Sequence, residues 1–279
     1  MDISSPSFWE NTWRETASDF FLKKTQKTNP ERWTEFFNRV SDIYPEMWGH
    51  PRILGDTVAD LFFSEKLIAS GSRVLDMGCG PGTLAIPLAE RGAQVLAADQ
   101  AEEMLTTLEQ AASARNLKNV ATRRTSFQEY DAAATHDLAV AAFFPPAFSP
   151  EGICRLESMS RKYCALVLGT GQETFPFRRQ LWKEIMDVPL QSGRFHLTYL
   201  TGYLLAADRQ PNLKHLSWPV RFSSPLEDQV RFFKSYFAIF GHNDSATETA
   251  IRRLLGQYVV KDRVETEGRA DIAVVWWER

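Results

Sequence analysis

The feature that most constrains the fold is a glycine-rich turn between an apolar run and a helix-like segment, at residues 73–83. Residues 73–77 read Arg-Val-Leu-Asp-Met, which is typical of a short buried strand. Glycine then occupies positions 78, 80 and 82, which permits a sharp turn and lets a ligand approach the main chain. A strand, a glycine-rich turn and a helix N-terminus together place backbone N–H groups beside a ligand. The alternative, a tight turn without a ligand, competes while the loop is considered by itself.

The spacing of the glycines narrows the choice of ligand. The dinucleotide fingerprint G-x-G-x-x-G requires its third glycine at position 83, where this chain has Thr83. Asp99 ends the second predicted strand, and its two carboxylate oxygens match the two hydroxyls of a ribose. Dinucleotide enzymes place an acid in the corresponding position. Asp99 therefore indicates an adenosine-type ligand without distinguishing which one.

The run Val-Leu-Asp-Met-Gly-Cys-Gly-Pro-Gly-Thr at 74–83, followed by Ala-Asp-Gln at 98–100 and Met-Leu at 104–105, resembles the class I S-adenosylmethionine-dependent methyltransferases. The resemblance implies S-adenosylmethionine as cofactor, with the loop backbone beside its methionine part, Asp76 near the amino group and Asp99 on the ribose. It further places Gln100 and Met104 near the adenine. Family members often carry an acid after the third strand, whereas this chain has Ser126 and Phe127 there. The expected cofactor-binding residues are Asp76, Gly78, Cys79, Gly80, Gly82, Asp99, Gln100, Met104, Ser126 and Phe127.

Alternating strand-like and helix-like segments over residues 71–170 predict a parallel sheet covered on both faces. We predict strands at 73–77, 94–98, 119–123, 137–143 and 163–168, a sixth at 212–220 and an antiparallel strand at 270–277, whereas 199–206 has no clear type. Ser224 with Glu227 and Ser245 with Glu248 predict two helix capping boxes, and Pro87 predicts a kink.

The predicted fold is α/β: a Rossmann-like, doubly wound, mostly parallel seven-stranded sheet with an antiparallel C-terminal strand and a helical N-terminal cap. One domain is expected over residues 1–279. It comprises the helical cap (1–70), a cofactor-binding core (71–170), and a C-terminal part with a cap insertion and the final strands (171–279).

Charge and composition disfavour several partners. The formal net charge of −3 provides no overall basic field for nucleic acid, and the arginine pairs at 123–124 and 252–253 are short. No apolar stretch approaches the ~20 residues of a membrane span. The N-terminus lacks the features of a signal peptide, so we expect a cytoplasmic protein. Cys79, Cys154 and Cys164 show no metal-ligand spacing, and no metal is expected.

The acceptor side is suggested by the end of the fourth strand, Phe-Phe-Pro-Pro-Ala-Phe at 143–148. Family members that methylate amino groups carry Asn or Asp where this chain has Phe144, which lacks the carbonyl acceptor that orients an amine. A hydrophobic substrate wall and a proline-stiffened loop without a ligand are equally compatible with the segment. The expected substrate-binding residues are Phe143, Phe144, Tyr44 and Trp48, although most tryptophans of residues 1–70 are expected to pack the core.

Methyl transfer from a sulfonium is a direct displacement that depends mostly on alignment, and a general base is needed only when the nucleophile arrives protonated. The histidines show no motif spacing, so no catalytic residue is assigned; His50 and His196 are the two worth testing. The leading hypothesis is a methyltransferase acting on a small molecule. An RNA or protein methyltransferase, a non-catalytic S-adenosylmethionine-binding regulator and a dehydrogenase are the alternatives. The acceptor, the methylated atom and the oligomeric state stay open.

Overall fold

The computed structural model describes residues 2–48, 51–131, 134–171 and 175–279. The helices are α1 (Pro6–Asp19), α2 (Phe21–Thr28), α3 (Pro30–Val40), α4 (Pro51–Ser64), α5 (Ala85–Glu90), α6 (Glu102–Ala114), α7 (Pro150–Met159), α8 (Pro176–Met186), α9 (Phe195–Ala206), α10 (Leu226–Ala238) and α11 (Ser245–Leu255). The strands are β1 (Arg73–Met77), β2 (Gln94–Asp99), β3 (Val120–Arg124), β4 (His136–Ala142), β5 (Ser160–Gly169), β6 (Asn212–Pro225), β7 (Val259–Val260) and β8 (Arg263–Glu278). Short 3₁₀ turns lie at Tyr44–Trp48, Pro145–Ala147 and Gly256–Tyr258.

The strands form one sheet in the order β3-β2-β1-β4-β5-β8-β6, with β7 paired to β8. Strands β1 to β5 pair in parallel, whereas β8 runs antiparallel to both β5 and β6. This confirms the predicted mostly parallel sheet with an antiparallel C-terminal strand; the two-residue β7 is the addition. Because β1 lies between β2 and β4, the direction of winding reverses there. Such a reversal leaves a crevice at the carboxyl ends of the strands.

Helices cover both faces of the sheet, because side chains alternate along each strand. In β1, Val74 belongs to the apolar layer that contains α4, α5 and α6 residues, whereas Leu75 and Met77 belong to the layer of α1, α7 and α9. A third apolar cluster joins α3, α8, α10 and α11 to β6 and β8. The doubly wound architecture is therefore confirmed, and the third cluster extends it beyond the parallel strands.

The N-terminal helices pack directly onto this framework. Helix α4 approaches the glycine loop so closely that a Cβ added to Gly55 would lie 1.9 Å from the Thr83 carbonyl oxygen. Helix α1 contacts α9, where a Cβ on Gly202 would lie 2.6 Å from the Trp9 ring. The helical character of residues 1–70 is confirmed for the part that the structure describes. Their role as a cap and the single-domain division stay predictions.

Both predicted capping boxes are wrong in their N-cap residue. Ser224 is buried in β6, where its hydroxyl accepts a hydrogen bond from Gln229 Nε2 at 3.1 Å. The strand continues through this position because β6 pairs with β8 residue by residue to its end. At α11, Asp244 is the N-cap and accepts from the Thr247 N–H at 2.8 Å, so Ser245 becomes the first helical residue. A carboxylate next to the predicted hydroxyl takes the capping role.

Two further segments differ from the sequence-based expectation. The segment 199–206, which had no clear type, forms most of α9. Pro87 lies in the first turn of α5, since that helix begins at Ala85 and not at residue 83. A proline in a first turn loses little by lacking an N–H, so the reason for the predicted kink is removed.

Candidate functional site

The glycine loop after β1 has three left-handed residues, with φ of +72° at Gly78, +52° at Gly80 and +89° at Gly82. Their surroundings differ. A Cβ on Gly78 would lie 2.1 Å from the Phe144 ring and one on Gly82 would lie 2.8 Å from Leu108, whereas one on Gly80 meets no atom within 4 Å. The sequence placed all three beside a ligand. In the structure Gly78 and Gly82 face packed side chains, and Gly80 faces open space.

Asp99, at the end of β2, connects this loop to helix α6. Its Oδ2 accepts from the Gly80 N–H at 2.9 Å, and its Oδ1 accepts from the Ala101 N–H at 2.9 Å. Burial raises the pKa of Asp99, and these backbone hydrogen bonds oppose the rise. A carboxylate has about four acceptor positions, so each oxygen retains capacity for a hydroxyl donor.

Asp76 is a buried carboxylate in β1 with 1% exposure. Neither of its oxygens has a hydrogen-bond partner of good geometry in the described part of the chain, although the Ala85 N–H lies near enough to interact with the carboxylate. Burial, followed by the nearby charge of Asp99, raises the pKa of Asp76 to about 7, while the Ala85 N–H acts in the opposite direction. An unpartnered buried carboxylate is costly, and a cationic donor removes the cost. The site therefore fits a ligand that brings an ammonium group.

The residues expected near an adenine are only partly available. Gln100 is exposed and its Nε2 donates to Thr34 Oγ1 at 2.9 Å, which ties it to α3. Met104 is 1% exposed and packs within the protein. The Ser126 hydroxyl donates to Glu129 Oε2 at 2.8 Å, so it stabilises its own turn. Cys79 is buried in the loop, where burial raises its thiol pKa.

The side chains of the two phenylalanines after β4 have different surroundings. The Phe144 ring packs against Gly78 and meets the buried Phe127 ring edge to face, with 5.5 Å between centroids. Phe143 has a φ of +50°, which is unusual for an aromatic residue, and its ring lines a cavity. Strained backbone of this kind is enriched at functional sites. The dipeptide thus contacts the glycine loop through one ring and the cavity through the other.

The cavity has a volume of about 290 Å³ and lies at the carboxyl ends of β4 and β5, against β8. Its apolar walls come from distant parts of the chain, and include Phe20, Leu22, Leu54, Phe143, Phe148, Leu168, Phe175, Leu190, Trp218 and Ile272. Its polar lining includes Arg178, Arg179, Gln191, Ser192, His196 and Asp271. The cavity opens on the same sheet edge as the glycine loop.

Tyr44, one of the expected substrate-binding residues, does not line this cavity. Tyr44 packs in the third apolar cluster, with its ring centroid 5.7 Å from that of Phe37 and 6.5 Å from that of Phe232. The structure therefore places Tyr44 in this cluster and not on the cavity wall, and its role in substrate binding stays a prediction. The side chain of Trp48 lies outside the described residues, as does His50.

His196 on α9 lies among aromatic rings on the cavity wall, and it is 8% exposed. Its Nδ1 accepts from Trp13 Nε1 at 3.2 Å. Burial, reinforced by the charge of Lys23, lowers the pKa of His196 to about 3. Lys23 donates to the Pro145 carbonyl in the loop after Phe144, and burial lowers the pKa of Lys23 to about 8.

Sequence reasoning missed Lys23, Phe148, Arg179 and Trp218. These residues lie on α2, the loop after β4, α8 and β6, so no local pattern relates them. Within the described ranges, no three His, Cys, Asp or Glu side chains are arranged to hold a metal ion. No helix in those ranges is long and apolar enough to cross a bilayer.

The stretch from β1 to α7 matches a known family. Residues 74–159 match the family model described as a methyltransferase domain. Residues 74–159 are therefore similar to a methyltransferase domain, and the match covers about a third of the chain. The matched part contains Asp76, Asp99, the glycine loop and the Phe143–Phe144 dipeptide, and it confirms the resemblance to class I methyltransferases drawn from those motifs.

One curated relative is similar to part of this chain in sequence, and two solved structures are similar to it in fold. The chloroplastic magnesium protoporphyrin IX methyltransferase of Arabidopsis thaliana is 30% identical over 106 residues, which cover 37% of this chain and 32% of that relative. The match thus spans about a third of the curated relative. Its counterpart from Synechocystis PCC 6803, solved with bound S-adenosylhomocysteine, has a TM-score of 0.50 at 15% identity and covers 96% of this chain and 99% of its own. The YcgJ protein of Bacillus subtilis has a TM-score of 0.51 at 12% identity, covering 79% of this chain and 97% of its own. The two structural likenesses establish the shared fold.

Proposed function

We propose that the protein is an S-adenosylmethionine-dependent methyltransferase that acts on a small-molecule acceptor. The observation that carries the proposal is Asp76, whose buried and unpartnered carboxylate lies in the methyltransferase domain next to the glycine loop. A carboxylate in that state favours a ligand with an ammonium group, and S-adenosylmethionine has one. The open space beside Gly80 and the residual acceptor capacity of Asp99 support the same ligand.

The residues would divide the work between two adjacent sites. S-adenosylmethionine supplies a sulfonium-bound methyl group, which an acceptor displaces directly. Asp76 would hold the ammonium, Asp99 would accept from the ribose hydroxyls, and Gly80 would let the loop approach the ligand. Placement of the adenine near Gln100 and Phe127 stays a prediction of the resemblance. Holding the two reactants in line can contribute ~7 kcal/mol or more to lowering the barrier.

The cavity favours a small acceptor. Its volume of about 290 Å³ is near the lower end of the ~300–1,000 Å³ usual for small-molecule sites. Phe143 forms part of its wall and Phe144 borders the glycine loop, so an acceptor in the cavity would lie next to the methyl donor. The curated relative is itself named for a small-molecule substrate.

No specific observation favours the macromolecular alternative. Arg124 forms an ion pair with Glu102 at 2.5 Å, and Arg252 forms one with Glu227 at 2.7 Å. The two arginine pairs lie on β3 and α11, which belong to different layers of the fold. Cytoplasmic residence stays a prediction of the sequence.

Calorimetry with S-adenosylmethionine, S-adenosylhomocysteine and NAD tests the proposal. We expect micromolar binding of the first two, weakened in Asp99→Ala and retained in Asp131→Ala, a change at an exposed aspartate. Preference for NAD would indicate a dehydrogenase. Binding of S-adenosylmethionine without methyl transfer to any metabolite pool would favour the non-catalytic regulator. Absence of all binding would contradict the proposal.

A further inference from the structure

Most polar groups that line the acceptor cavity are already used by the protein. The amide of Gln191 bonds backbone groups at the α1–α2 junction at 2.7 and 3.3 Å, and the Ser192 hydroxyl donates to a backbone carbonyl at 3.3 Å. The Asp271 carboxylate accepts from the Ser217 hydroxyl and lies 3.5 Å from Arg269 Nε. The acid in the lining is therefore offset by a neighbouring arginine.

His196 is held as a neutral hydrogen-bond donor. The indole N–H of Trp13 can only donate, so Nδ1 of His196 must be the acceptor in their 3.2 Å hydrogen bond. Since the imidazole stays neutral, its proton is on Nε2. That N–H belongs to a ring that is 8% exposed and lines the cavity. His196 therefore offers a donor to the cavity, and it is not set up as a base.

Positively charged side chains near the cavity, like the His196 N–H, favour a ligand with acceptor oxygens. Arg179 of α8 lines the cavity and is exposed at its edge. Lys23 lies close enough to His196 for its charge to act on the imidazole. The cavity thus combines aromatic walls with donors and positive charge. An anion with oxygen acceptors matches the donors, and a carboxylate matches the planar fork of a guanidinium.

We propose that the acceptor is a small apolar carboxylic acid whose carboxylate accepts hydrogen bonds from His196 and Arg179 while its hydrocarbon part contacts the aromatic walls. The assignment rests on the proposed function and specifies its substrate class. His196 and Arg179 become substrate-binding residues that decide which acceptors enter.

A matched pair of probes tests the class. Binding of 2-naphthoate and of its neutral amide, 2-naphthamide, is measured by calorimetry with and without saturating S-adenosylhomocysteine. We expect the acid to bind at least about tenfold more tightly than the amide. His196→Phe and Arg179→Gln should each weaken the acid about tenfold and leave the amide nearly unchanged. His196→Asn, which keeps an N–H donor, should retain most of the preference.

The controls distinguish a failure of the carboxylic-acid proposal from a failure of the methyltransferase proposal. Arg221→Gln, which alters an exposed arginine on β6, should change neither probe. Affinity for S-adenosylhomocysteine should be unchanged in every variant, which also reports intact folding. Equal binding of acid and amide, no binding of either, or full acid preference in both His196→Phe and Arg179→Gln, would overturn the acid class. Acid preference without S-adenosylhomocysteine binding would instead overturn the methyltransferase proposal and support the acid site.

Discussion

The two sides of the site lie on one sheet edge but are built in different ways. The glycine-loop side comes from about 30 consecutive residues, β1 through the start of α6. The cavity side is assembled from α2, the loop after β4, α8, α9, β6 and β8. A site built from one short stretch keeps its geometry as long as that stretch folds. A site built from many elements depends on how all of them pack.

The two sides also differ in charge. Asp76 and Asp99 make the glycine-loop side acidic, whereas Lys23, Arg179 and the His196 donor make the cavity side electropositive. A cationic cofactor and an anionic acceptor would each be favoured on one side and disfavoured on the other. The difference in charge would therefore determine which ligand binds on which side.

The largest effect is expected for Gly80→Ala, which would place a methyl group in the open space of the glycine loop. Affinity for S-adenosylmethionine should fall about 100-fold, equivalent to about 3 kcal/mol. Gly71→Ala is the matched control, because Gly71 also has a positive φ (+85°) and open space around its Cα but lies outside the loop. Both variants should lose about 1 kcal/mol of stability from the left-handed backbone. Equal cofactor affinity in the two variants would mean that no ligand lies beside Gly80.

Asp76→Asn should weaken S-adenosylmethionine binding by about 10- to 100-fold, as expected for a lost charged hydrogen bond. The same change should stabilise the protein without ligand. The folded protein holds the Asp76 proton up to about pH 7, whereas the unfolded chain releases it near its ordinary value of 3.8. Wild-type stability therefore falls as pH rises between these values, and the variant avoids that loss. Urea unfolding at pH 8 should show a gain on the order of 2–4 kcal/mol.

The affinity of the protein for S-adenosylmethionine should also depend on pH through the ionisation of Asp76. Because the ammonium pairs with the ionised carboxylate, wild-type affinity for S-adenosylmethionine should rise as pH rises through about 7. Asp76→Asn should lack this rise. A variant that is no more stable at pH 8 than the wild type would show that Asp76 has a partner in the folded protein before any ligand binds.

Phe143→Ala and Phe144→Ala should separate the two sides. Removing the Phe143 ring takes away part of the cavity wall, so KM for the acceptor should rise about tenfold while cofactor affinity stays unchanged. Removing the Phe144 ring uncovers Gly78, so cofactor affinity should change about tenfold. Steady-state kinetics with calorimetry distinguishes the two. Identical profiles would mean that the dipeptide acts as one unit.

The smallest effect is expected for Gln191→Ala. Its amide joins the segment before α9 to the α1–α2 junction through two hydrogen bonds, each worth about 0.5–1.5 kcal/mol. The variant should lose about 1 kcal/mol of stability and release the acceptor severalfold faster, with cofactor affinity intact. Stopped-flow dissociation measures the release rate. A change in cofactor affinity without acceptor would show that Gln191 also acts on the glycine-loop side.

The glycine-loop side is built from consecutive residues and the cavity side from distant elements, and this difference explains how much of each the sequence could predict. The sharp glycine turn, the position of Asp99 at the end of β2 and the mostly parallel sheet with an antiparallel C-terminal strand all follow from local patterns, and the structure has them. Which side chains the glycines face could not be predicted locally, since Gly78 packs against Phe144, which follows β4. The expectation that the backbone of all three glycines lies beside a ligand stays a prediction. Helix α9 was missed because it is apolar around most of its circumference, which hides a helical period.

The cavity could not be predicted, because its polar groups meet only through long-range packing. Trp13 and His196 are 183 positions apart, yet their hydrogen bond fixes the imidazole. Tyr44 was kept as a pocket candidate, and the structure packs its ring against Phe37 of α3 and Phe232 of α10. Sequence spacing carries no information about either outcome.

If the proposed function holds, the Phe143–Phe144 dipeptide would link the binding of the two ligands thermodynamically. One ring borders the cavity and the other covers the glycine loop, so a displacement of their shared peptide acts on both. Whatever factor cofactor binding applies to acceptor affinity, acceptor binding must apply to cofactor affinity, whichever is added first. Through these two neighbouring side chains, binding of a ligand on one side would change the affinity of the other side for its own ligand.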